Sequence, residues 1–127
     1  MSSDEMTLLN GQRAAAISNL VVGLTSDYTG RGPTKARTHL SENVVTVVLQ
    51  DTLTKGERSL VNDGRSELVL GVRFAFQETM RAGLVEGVEK ITGRRVHAFM
   101  SANHIDPDMA VETFVLDGQA DDPPDSR

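Results

Sequence analysis

His104, Asp106 and Asp108 stand at two-residue spacing in the segment HIDPD. Imidazole and carboxylate donors so placed suit zinc or a harder divalent ion. Asp106-Pro107-Asp108 is equally a turn sequence, because aspartate bonds nearby amides and proline fixes its own φ. His39 and His97 approach this turn only if the strands that carry them pair suitably. A second concentration is Gly30-Arg31-Gly32-Pro33-Thr34-Lys35, with Arg37 two residues on. A phosphate loop needs a strand before it, a helix after it and Gly-Lys-Ser/Thr at its end. Here a helix precedes and a strand follows. Two readings stay open: an ordinary helix-to-strand connection, or a docking or anion surface in which Arg31, Lys35 and Arg37 supply cations and glycine amides supply donors. Arg94 and Arg95 extend that basic inventory toward a nucleic acid or anionic ligand.

Nucleophilic catalysis finds no support in the spacing. A hydrolase built from His97, Ser101 and Asp106 needs a geometry that strand alternation does not supply. The remaining acids read as caps, helix-surface charges or turn residues. With no cysteine, thiolate catalysis, disulfides and Cys-based metal sites are excluded. The sequence therefore predicts no enzyme and no cofactor.

These residues sit in a chain of 127 residues with 39% hydrophobic and 24% charged content, enough for one folded domain. The net charge of −5 misleads, because residues 8–116 hold 12 Lys plus Arg against 12 Asp plus Glu. The excess lies at the ends, so an acidic pI does not exclude a local basic face. Few aromatics are available to stack bases, which disfavours nucleic acid. No apolar run approaches the roughly 20 residues that span a bilayer, and the N-terminus lacks a signal core. A cytoplasmic protein without direct membrane insertion is expected.

Periodicity supplies the scaffold. Leu9, Arg13, Ile17, Leu20, Leu24 and Tyr28 step by three or four through a helix from about Thr7 to Tyr28, which Gly30, Gly32 and Pro33 end. Strands follow over 34–40 and 44–50, the second so rich in valine that it must be central or covered on its second side. Thr54-Lys55-Gly56-Glu57 has the form of a capping box and opens a short helix. Val69, Val72, Phe76, Met80, Leu84, Val88 and Ile91 then line one side of a long helix over 66–92. Its Gly83 and Gly87 lie one turn apart and admit a second backbone, from a dimer or from the same chain. A second hairpin spans 94–104 and 109–116. The order α-β-β-α-α-β-β predicts an α+β two-layer sandwich, two β-hairpins in a single antiparallel sheet packed against the long helix. One domain is expected over 7–116, with a flexible N-terminal tail at 1–6 and an acidic, disordered C-terminal tail at 117–127.

GRGPTKART at 30–38, LTKGERSLV at 53–61, VRFAFQETM at 72–80, TGRRVHAFMS at 92–101 and HIDPD at 104–108 together resemble the MpsC-like domain family. That small bacterial family takes its name from the C component of a proposed sodium-translocating, membrane-potential-generating system. The resemblance covers roughly 8–116. It implies a non-enzymatic accessory or regulatory protein working through protein contacts, with an integral-membrane, transporter-like partner that holds it peripherally at the inner membrane. Gly30, Arg31, Gly32 and Pro33, Arg73 and Gln77, Gly93 and Arg94, and Asp106 to Asp108 match the family's motifs. The interface candidates are therefore Gly30, Arg31, Gly32, Pro33, Lys35, Arg37, Arg73, Gln77, Arg94 and Arg95. A homodimer is expected.

Overall fold

The computed structural model describes residues 1–118; residues 119–127, most of the expected acidic tail, lie outside the described residues. Ser2 starts α1 (Ser3–Thr29) by accepting the Glu5 amide at 3.1 Å. The helix therefore takes in residues 3–6, where the sequence suggested a tail. Asp4 and Glu5 suit its positive end. Gly30 closes it in the left-handed region at φ 81°, its amide bonding the Ser26 carbonyl at 2.9 Å.

β1 (Lys35–Ser41) and β2 (Val44–Gln50) form one antiparallel hairpin, β3 (Val96–His104) and β4 (Met109–Leu116) the other. β2 and β4 pair antiparallel, Val47 opposite Glu112, and join the hairpins into one sheet of order β1-β2-β4-β3. Between them in sequence lie α2 (Lys55–Asn62) and α3 (Ser66–Thr92). The element order and the two-layer α+β architecture are those the periodicity predicts.

One face of the sheet is buried against α1 and α3. Val45, Val47 and Leu49 of β2 and Ala110, Phe114 and Leu116 of β4 meet Ile17, Val21, Met80, Leu84 and Val88 in the core. Each large apolar side chain so buried contributes about 1.5–3 kcal/mol. Phe99 and Phe114 pack with ring centroids 4.9 Å apart, and the Arg81 guanidinium lies 5.0 Å from the Phe99 centroid. A bulge between Val96 and Ala98 turns β3 so that Phe99, Ser101 and Asn103 face inward.

Gly83 and Gly87 serve the helix pair within this chain. A Cβ on Gly87 would meet Leu20 Cδ2 of α1 at 2.5 Å, and one on Gly83 would meet Leu24 at 3.4 Å. β2 is central, as its valines require. Its second face, however, meets no other described element: Val44 is 39% exposed there, with Met100 of β3 at 53%.

Candidate functional site

At the end of the sheet where β2 stops, the chain turns on Asp51, a non-glycine residue at φ 60°. Aspartate tolerates this left-handed conformation better than most side chains. Arg31 reaches back from the α1–β1 connection to bond Asp51 Oδ2 at 2.6 Å, and Arg58 of α2 holds the other oxygen. Asp108, from the HIDPD turn, then fastens the next two residues. Its Oδ1 accepts from the Thr52 amide at 3.0 Å and the Thr52 hydroxyl at 2.9 Å, and its Oδ2 from the Leu53 amide at 3.0 Å. Arg58 approaches the same carboxylate at 3.3 Å. One carboxylate thus satisfies two backbone donors that a connection between strand and helix would otherwise strand.

The capping box forms at Thr54 and Glu57, with the Thr54 amide 2.8 Å from Glu57 Oε1 and the Glu57 amide 3.1 Å from Thr54 Oγ1. Beneath it, Arg73 of α3 is buried, its Nη1 lying 3.4 Å from both Glu57 Oε1 and the Thr52 carbonyl. One turn further along α3, Gln77 donates to Asn103 Oδ1 at 3.0 Å and to Glu112 Oε1 at 3.2 Å, and accepts from Asn103 Nδ2 at 2.9 Å. Ser101 donates to the other Glu112 oxygen. Glu112 is 2% exposed, and burial pushes its carboxyl up from 4.5 to about 7. The Ser101 and Gln77 hydrogen bonds and the Arg73 charge pull it down without cancelling that desolvation. This polar seam runs from Arg31 through Asp51, Arg58 and Asp108 to Glu57 and Arg73. Gln77 and Glu112 continue it between α3 and the sheet. A cleft of about 640 Å³ opens beside it, between α2 and the β3–β4 turn, with Leu53, Val61, Ile105 and Met109 in its wall.

The side chains of this seam bond chiefly to one another and to the β2–α2 backbone, with Glu57 Oε2 and Arg73 Nε buried and unpartnered. Over residues 9–118 the sequence matches the family described as the Na+-translocating membrane potential-generating system (MpsC). The chain belongs to the MpsC family. No curated protein and no solved structure matches it.

Within this MpsC domain the sequence candidates separate into three groups. Arg31, Arg73 and Gln77 belong to the seam. Gly30 caps α1, a Cβ on Gly32 would lie 3.5 Å from Val22 Cγ1, and Pro33 leads into β1. Lys35 and Arg37 are exposed on β1, on the face turned away from the helices. Arg94 lies at the other end of the sheet, bonding the Glu42 carbonyl at 3.0 Å and Asn43 Oδ1 at 2.6 Å, with Arg95 exposed beside it. The basic residues therefore form no single surface.

The metal candidates do not converge either. Asp108 spends both oxygens on the β2–α2 connection, Asp106 is exposed in the turn, and His104 Nδ1 lies 2.7 Å from the Pro107 carbonyl. Among the described residues no three His, Asp or Glu side chains are grouped to hold a metal ion. His97 pairs with Asp117 at 3.5 Å, at the opposite end of the sheet from Asp106. The His97, Ser101 and Asp106 arrangement is thus not assembled.

Glu112 was missed in the sequence reading, where every acid outside HIDPD passed as a cap, a surface charge or a turn residue. The available signal was alternation: Glu112, Phe114 and Leu116 share one face of β4, and that face is the core.

Proposed function

We propose that this MpsC-family chain is a non-enzymatic accessory and regulatory protein of a sodium- or other cation-translocating system that generates membrane potential. It acts on the cytoplasmic side of the inner membrane, through contact with an integral-membrane, transporter-like partner. The family match over residues 9–118 is the observation that carries this reading. Two physical facts support it. Among the described residues no helix is long and apolar enough to cross a membrane, so these residues do not themselves build an ion path of transmembrane helices. The buried polar residues that could do chemistry instead hold α2, α3 and the β3–β4 turn in place, which suits a rigid body that presents surfaces.

Membrane fractionation with chemical cross-linking tests the proposal. In native membranes the chain is expected to sediment with the bilayer and to cross-link to one multi-span protein. The association should vanish in cells lacking that protein. A chain found wholly in the supernatant, with no cross-linked membrane protein, overturns it.

A further inference from the structure

The helix-free face of the sheet is more apolar than an exposed surface needs to be. Its two central strands present Val44, Thr46 and Val48 beside Val115, Thr113 and Val111, paired in that order. Antiparallel sheets with one solvated face normally alternate apolar inward and polar outward, and here four of the eight outward positions of β2 and β4 are valine and a fifth is Met109. β3 adds Met100, 53% exposed, at one margin. β1 lines the other margin with Lys35, Arg37 and His39, all exposed. A groove of about 450 Å³ runs between these cations and Val48. No Asp or Glu points outward from the four strands of this face. At the end of the sheet that holds Lys35, Asp51 is paired with Arg31 and Arg58 and Asp108 with the Thr52 and Leu53 amides, while Asp106 stands exposed in the turn just beyond His104.

We propose that this face is the interface between two copies of the chain, related by a two-fold axis running parallel to the strands. Size supports a second copy. Four strands about 4.8 Å apart and seven residues of about 3.3 Å each give a flat footprint of about 440 Å² per copy. The pair thus covers about 900 Å² before side-chain relief is counted, which brings it to the threshold of about 1,000 Å² for a specific interface. Charge selects the axis. A two-fold axis across the strands would lay β1 on the partner's β1, stacking Lys35, Arg37 and His39 against their own copies. An axis along the strands lays β1 over the partner's β3 instead. Lys35 then comes to the end that carries the partner's Asp106, and the partner's Met100 comes over the groove beside Val48. Sheets packed this way cross at about 30°, and the inner side chains of both interdigitate. The inference rests on this face alone and stands whether or not a membrane partner is found.

Sedimentation velocity from about 1 to about 100 µM protein tests it, with thermal melts as the folding control. A dimer is expected. Met100→Lys, at an exposed position, should raise its Kd at least tenfold, about 1.4 kcal/mol or more, with the melting temperature unchanged at a concentration low enough to keep both chains monomeric. Phe74→Asp, on the solvent side of α3, should leave it intact. Lys35→Glu and Asp106→Lys should each weaken the dimer, and the double variant should recover most of the loss. A monomer throughout the range overturns the proposal, as does a dimer that Phe74→Asp dissolves and Met100→Lys does not. A double variant no better than either single one overturns the axis and the interface with it.

Discussion

Replacing Glu112 by glutamine should remove a pH dependence built into the core. The carboxyl is 2% exposed and its pKa is raised from 4.5 to about 7, so the folded chain retains a proton that the unfolded chain gives up. Between those values the folded state binds more protons, and stability falls as pH rises through the window. The contribution is fully present below about pH 4.5 and is lost by the time pH has passed the folded value near 7. At about 1.4 kcal/mol per unit, the loss approaches about 3 kcal/mol. Glutamine mimics the protonated acid: its oxygen can accept from Gln77 and its amide can donate to the Ser101 hydroxyl. Urea unfolding followed by circular dichroism at about pH 5 and about pH 8 measures the difference. Glu112→Gln should match the wild type within about 1 kcal/mol at the lower pH and exceed it by about 2–3 kcal/mol at the higher. A variant whose profile runs parallel to the wild type, or that is less stable at the higher pH, would refute burial as the dominant influence on this group.

Three further substitutions probe the scaffold. Asp108→Ala leaves the Thr52 and Leu53 amides without their acceptor and should cost about 3 kcal/mol in urea unfolding, with Asp108→Asn losing less. Gly87→Ala should destabilise by about 1–2 kcal/mol through the clash with Leu20, whereas Gly71→Ala, with nothing within 4 Å, should gain about 0.5–1 kcal/mol from helix propensity; thermal melts of the pair separate crowding from propensity. Thr54→Ala removes the capping hydroxyl of α2 and should cost about 1 kcal/mol by the same melts, with faster amide exchange at Glu57.

The fold was legible because its elements keep their periods over long stretches. Val69, Met80, Leu84 and Val88 mark the inner side of α3, and the valines of 44–50 place β2 at the centre of the sheet. The seam was much less legible. Arg73 and Gln77 occupy the buried line of α3 between Val69 and Met80, while the apolar pattern points to Val72 and Phe76, which are only half-buried. A polar residue on an apolar stripe looks like an interruption until its partners arrive from Glu57, Asn103 and Glu112, 16 to 35 residues away. The HIDPD turn shows the same limit. Its sequence favours a turn over a metal site, and only the fold shows Asp108 meeting the amides of Thr52 and Leu53. The glycines of α3 left a dimer and an intrachain crossing open until Leu20 and Leu24 were seen against them. Local patterns specify elements, whereas these contacts depend on which elements the topology brings side by side.

Sodium-driven membrane potential in intact cells tests the account most directly. Cells lacking this chain should develop a smaller potential on addition of sodium, read with a voltage-sensitive dye, and recover it when the wild-type chain is supplied. An unchanged sodium response in the deletion strain would contradict the role proposed for this chain.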